Sequence, residues 1–213
     1  MLPLLSTSIL DTLKILMIGN IMTYGNQMPA TFQDMMLAQE RIVSIDSNFT
    51  PDDEIECGLL KSIYPESYNC SSTFIQKHKV WEKENERHAD FVKLVSGYDV
   101  VYLQSNRIDY SLLYEIINSV DQVIGEDAII ILFQNYSANT NPAAREKDLE
   151  KQLNFFEQHN KSEKVTLLSV GEVFYMFMEN DPSEVLDRSG LPTAKGSEYI
   201  AMALLEIIRP YIY

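Results

Sequence analysis

Ala128-Ile-Ile-Ile-Leu-Phe133 is six apolar residues without a polar interruption. A strand with one wet face alternates polar and apolar positions, whereas a continuous run of this length fits a strand covered on both faces. Leu13-Lys-Ile-Leu-Met-Ile18 and Asp99-Val-Val-Tyr-Leu103 have nearly the same character, and Arg41–Ile45 and Lys164–Ser169 are shorter runs of β type. Between them lie helical periodicities. Ile108, Leu112, Leu113, Ile116, Ile117, Val120 and Ile124 form one apolar stripe ahead of Gly125. Asn141-Pro142 supplies a cap and a first-turn proline for a helix whose expected stripe is Leu149, Leu153 and Phe156. A last helix is expected from about Ala194 to Ile208, stopping before Pro210.

Strands alternating with helices make right-handed βαβ units. The expected architecture is α/β: a three-layer α/β/α sandwich, flavodoxin-like, on a central parallel sheet of about five strands. With 213 residues and no evident linker or repeat, residues 1–213 read as one domain. The stretch from Asp46 to Asn69 reads as an irregular excursion, followed by a helix carrying Trp81 and His88.

The net charge of −14 argues against a nucleic-acid groove, which needs clustered Lys and Arg. No run approaches the roughly 18 apolar residues of a membrane span, and Met1–Leu10 lacks the basic start of a signal peptide. The expectation is a cytoplasmic protein, with export the alternative should a leader have been removed. Cys57 and Cys70 are too few for a disulfide framework, and their pairing stays open. The four glycosylation sequons at Asn48, Asn69, Asn135 and Asn160 are read as chance in an Asn-rich chain. Met17, Met22, Met28, Met35 and Met36 are read as core filler, Asp52-Asp53-Glu54 as a solvated turn, and Tyr211 and Tyr213 as edge packing. No metal or cofactor is expected.

In an open parallel sheet, ligands collect beyond the carboxyl ends of the strands. Those loops are Gly19–Met28, Gln104–Tyr110, Gln134–Asn141 and Asp187–Gly196. The first carries neither a dinucleotide fingerprint nor a P-loop. The phrase Leu16-Met-Ile-Gly-Asn-Ile-Met-Thr-Tyr-Gly-Asn26 resembles the first block of the SGNH/GDSL hydrolases, in the subgroup with Gly-Asn-Ser-x-Thr-x-Gly-Asn. Tyr98–Gln104 is similar to that family's third strand, and Leu191-Pro-Thr-Ala-Lys-Gly196 to its final His-Pro-Ser-x-x-Gly block. Cys70–Thr73 is the nearest stretch to its second block.

The resemblance implies a serine nucleophile, a histidine base and an aspartate to orient it. This sequence departs at each position. Ile21 stands at the nucleophile, Leu191 at the base, and Arg188 at the aspartate, with Asp187 one residue away. An alkyl side chain has no lone pair with which to attack an ester. The expectation is therefore a catalytically inactive protein that binds an ester or acylated carbohydrate, or a protein partner. Gly19, Asn20, Thr23, Tyr24, Gln104, Asn106, Asn135 and Asp187 are the candidate ligand contacts. Two alternatives remain: an esterase or acyltransferase with relocated catalytic groups, and a structural scaffold or homo-oligomer. His78, His88 and His159 read as surface residues, and Ser105 as an exposed loop hydroxyl with no base to activate it.

Overall fold

A computed structural model describes residues 12–19, 21–49, 73–77, 80–84, 95–104, 110–136, 141–160, 162–178 and 181–211. Seven strands form one sheet: β1 (Leu13–Gly19), β2 (Val43–Phe49), β3 (Thr73–Lys77), β4 (Val80–Glu84), β5 (Val100–Leu103), β6 (Ile129–Phe133) and β7 (Val165–Leu168). Their order is β4-β3-β2-β1-β5-β6-β7. The five strands β2, β1, β5, β6 and β7 pair in parallel, as the apolar runs require. The helices are α1 (Ile21–Tyr24), α2 (Met28–Ala38), α3 (Tyr110–Asp121), α4 (Pro142–His159), α5 (Val170–Met178) and α6 (Ala194–Ile208).

Alternate residues of each central strand feed two cores. Ile15, Met17, Val100, Tyr102, Ile129, Ile131 and Phe133 pack with Phe32 and Met36 of α2, Phe174 of α5 and Leu204 of α6. Leu16, Ile18, Val101, Leu103, Ile130 and Leu132 pack with Ile116, Ile117 and Val120 of α3 and Phe156 of α4. This two-sided burial is why β5 and β6 and the stretch Ile15–Ile18 of β1 are almost wholly apolar. Met17, Met22, Met28 and Met36 are buried in the first core.

Four expectations are corrected. The segment around Trp81 is a strand: β3 and β4 form an antiparallel hairpin on the free edge of β2, with Gln76 opposite Trp81. Phe74-Ile75 and Val80-Trp81 are β-favouring pairs, and the ladder offered by β2 decides between strand and helix. His88, Cys57, Cys70 and Asp52–Glu54 lie outside the described residues. Strand β2 continues past Ile45 to Phe49, because β1 offers seven consecutive partners from Leu13↔Val43 to Gly19↔Phe49. Helix α5 was not anticipated; it begins one residue after β7, so its apolar residues merge with the strand's in the sequence.

The fourth correction concerns α4. Asn141 does cap it, its Oδ1 accepting from Ala143 N at 3.0 Å, with Pro142 in the first turn. Leu153, however, is 38% exposed. The inward row is Arg145, Leu149, Gln152 and Phe156. Arg145 lies buried over the Tyr175 ring at 5.1 Å. Gln152 Nε2 donates to Asn135 O at 3.0 Å, and its Oε1 accepts from Asn135 N at 2.9 Å.

Helix α6 is placed by a close backbone approach. Thr193 Oγ1 accepts from Gly196 N and donates to Glu184 O, while Thr193 N donates to Val185 O. A Cβ on Gly196 would stand 2.2 Å from Val185 O, a backbone atom that cannot rotate away. Among the described residues no helix is long and apolar enough to cross a membrane. Gly196→Ala is expected to cost about 1–3 kcal/mol in urea unfolding, the range for an overpacked core. Gly25→Ala, with nothing within 4 Å of the added carbon, should leave the midpoint unchanged.

Candidate functional site

The carboxyl end of β1 turns directly into α1 because Gly19 carries no side chain. A Cβ there would lie 2.4 Å from Thr23 Oγ1 and 3.2 Å from Gln104 Oε1. Thr23 and Gln104 are fully buried. The Thr23 hydroxyl donates to Gln104 Oε1 at 3.2 Å and stands 3.4 Å from the Tyr102 hydroxyl. Gln104 Nε2 lies 3.7 Å from Met22 Sδ, and Gln104 N extends the sheet by donating to Ile18 O. Two of the candidate ligand contacts are therefore internal members of a buried network at the carboxyl edge of the sheet. Tyr24 also turns inward, donating to Met17 O at 2.6 Å.

Beyond Tyr24 the chain enters left-handed backbone at Asn26 (φ 49°) and Gln27 (φ 59°), a region that Asn tolerates better than most residues. This turn meets the final block. Asn26 Nδ2 donates to Pro192 O at 2.6 Å across 166 positions of sequence, and Ser197 Oγ donates to Gly25 O at 3.0 Å. The two segments carrying Ile21 and Leu191 are thus clasped together at one edge of the sheet. Asn20, Ser105 and Asn106 lie outside the described residues.

Asp187 serves its own loop. Its Oδ1 accepts from Ser189 Oγ at 2.6 Å, Ser189 N at 2.8 Å and Leu191 N at 3.0 Å. Asp187 N donates to Leu191 O, and Leu186 bridges Pro192, closing the turn that Gly190 (φ 80°) allows. The Ser189 hydroxyl and the Leu191 amide hold this carboxyl below the usual range. Leu191 is half-buried against the first core, and Arg188 is exposed. Asn135 is half-buried at the end of β6, its main chain clamped by Gln152.

Two tyrosines at this edge were not singled out by sequence reasoning. Tyr102 is fully buried, and Tyr136 is buried with its ring 4.7 Å from Phe174; the Tyr136 hydroxyl has no hydrogen-bond partner among the described residues. Burial pushes both phenols well up, and for Tyr136 the charge of Asp187 adds to it. Both remain protonated through the physiological range, so neither acts as a base. In the sequence Tyr102 sits inside an apolar run, with no signal to separate it from its neighbours.

His159, the one histidine among the described residues, ends α4, which starts at the carboxyl edge and runs back to the amino edge. It stacks on Phe155 at 4.3 Å. The described residues therefore bring no imidazole to a hydroxyl at this edge. Ser189 and Ser197 donate instead to Asp187 and to Gly25 O.

Removing the buried donor in Thr23→Val is expected to cost about 1–3 kcal/mol in urea unfolding, the penalty for stripping a partner from a desolvated polar group. The lowered carboxyl of Asp187 stabilises its loop above the ordinary Asp value, and this is lost as pH falls through the lowered one. The amide shifts of Ser189 and Leu191 should therefore titrate together, with a midpoint below about 3.9. In Asp187→Asn, which keeps an acceptor and loses the charge, that titration should vanish.

No protein-family model matches the sequence, and no curated protein matches it. Solved structures do. A DUF4886 family protein from Bacteroides uniformis superposes with a TM-score of 0.63 at 14% identity, covering 92% of this chain and 82% of that one. The Clostridium thermocellum family 3 carbohydrate esterase gives 0.62 at 12%, covering 95% and 98%. Axe2, an acetylxylan esterase from Geobacillus stearothermophilus, gives 0.59 at 12%, covering 93% and 95%. At these identities the likeness is one of fold: an α/β/α sandwich on a central parallel sheet of five strands.

Proposed function

We propose that this chain is a catalytically inactive protein of hydrolase-like fold that binds an acylated carbohydrate at the strand-end cleft without hydrolysing it. One observation carries the reading. In the sequence Ile21 and Leu191 stand where the resemblance expects nucleophile and base, and the two segments that carry them are joined through Asn26–Pro192 and Gly25–Ser197, which supports the reading. A serine hydrolase needs a hydroxyl, a group to take its proton and a group to orient that base. Here the nearest carboxylate, Asp187, spends Oδ1 on three donors of its own turn.

The ligand class is drawn from the named activities of the similar structures, a carbohydrate esterase and an acetylxylan esterase. With Thr23 and Gln104 buried and Tyr24 turned toward the sheet, contact falls to Asp187 and Asn135 among the described residues. Asn20 and Asn106 complete the proposed set from the sequence.

The protein is expected to give no turnover of p-nitrophenyl acetate above buffer and no labelling by a fluorophosphonate. It should bind acetylated xylo-oligosaccharides and not the deacetylated ones in calorimetry. Labelling of any serine, with ester turnover abolished by the same reagent, overturns the inactive reading. Equal binding of acetylated and deacetylated sugar, or binding of neither, overturns the ligand assignment.

A further inference from the structure

The opposite edge of the sheet holds a second concavity. Leu13, Val100 and Ile129 open strands β1, β5 and β6, and together with Met36 of α2 they form the apolar base of a cavity of about 430 Å³. Seven residues of β1 separate it from the cleft, roughly 20 Å at the rise of an extended strand. The volume lies in the range of small-molecule sites, about 300–1,000 Å³. Its mouth is flanked by Ile42 and Tyr211, which are 55% and 51% exposed, and with the half-buried Leu13 they supply the accessible apolar wall above the buried Val100, Ile129 and Met36.

Three charged residues line the same cavity: Arg41, Asp99 and Asp127. Asp99 is fixed. Its Oδ2 accepts from Lys14 N at 2.7 Å, its own N–H donates to Lys14 O, and its carbonyl accepts from Ile129 N. Asp127 is exposed and forms no salt bridge among the described residues. Two carboxylates against one guanidinium leave the lining net negative, and the chain's charge of −14 favours cations around it.

An apolar base with carboxylates at its mouth matches a molecule with an apolar body and a cationic end. We propose that this amino-edge cavity is a binding site for a small primary ammonium compound carrying an aliphatic or aromatic body. The body lies on Leu13, Ile42 and Tyr211, directly above the methyls of Val100, Ile129 and Met36, and the ammonium group pairs with Asp127 beside the fixed carboxylate of Asp99. The site is separate from the strand-end cleft, and its test is independent of any ester chemistry there.

The test uses the full chain and three six-carbon probes: n-hexylammonium, 1-hexanol and hexanoate. Methyl resonances of Leu13, Met36, Val100 and Ile129 are followed by NMR during titration. Hexylammonium should shift these methyls to saturation, hexanol should bind more weakly, and hexanoate should leave them unmoved. Asp127→Asn, a substitution at an exposed position, should weaken hexylammonium about threefold to fivefold, the effect of removing one solvent-facing ion pair. Its affinity for hexanol should not change. The proposal is overturned if the three probes share one midpoint, if no methyl of this set saturates, or if Asp127→Asn leaves the hexylammonium midpoint where it was.

Discussion

Strand β1 is hydrogen-bonded along both sides, to β2 from Leu13 through Gly19 and to β5 from Ile15 through Ile18. Its side chains alternate between two dry cores, so no residue from Ile15 to Ile18 has access to water. A strand held on four sides can neither slip in register nor tilt without disturbing both helical layers, because a one-residue slip exchanges the contents of the cores. The first functional loop inherits this rigidity. Gly19 ends the strand, Thr23 folds back over it, and the direction in which the chain departs is set by packing.

From that fixed point the fold brings its two ends together. The turn at Gly25–Gln27 receives the start of α6, with Ser197 and Pro192 supplying the contacts. The edge thus formed is polar in composition and inward in orientation. Thr23, Tyr102 and Gln104 satisfy one another, Tyr24 satisfies a strand carbonyl, and Asp187 satisfies its turn. These polar groups are engaged in holding the protein's own loops.

The parallel core was legible because burial on both faces writes itself as uninterrupted apolar sequence, and Ala128–Phe133 has no second interpretation of comparable quality. The β3–β4 hairpin was not, since its strand character depends on a vacant edge of β2 that is not adjacent in sequence. The facing of α4 escaped a hydrophobic pattern for a different reason. Gln152 lies inward by matching both halves of a peptide group, so it outcompetes Leu153 for the interior without being apolar. At the site, the spacing of Gly19, Thr23 and Gly25 could be read directly. The roles of Tyr102, Tyr136 and Ser197 could not, because each looks like ordinary core or helix until the chain is folded.

The turn of Asp187 bears on what this loop can accommodate. This carboxylate has been absorbed into backbone geometry: its oxygen secures the amides on either side of Gly190 and fixes the path of the chain into Pro192. Placing an imidazole at position 191 would set it beside a carboxylate whose Oδ1 holds the turn and whose Oδ2 carries none of these bonds. One oxygen would go on holding the turn while the other faced the ring, so a single carboxylate would set both the path of the loop and the orientation of the new side chain.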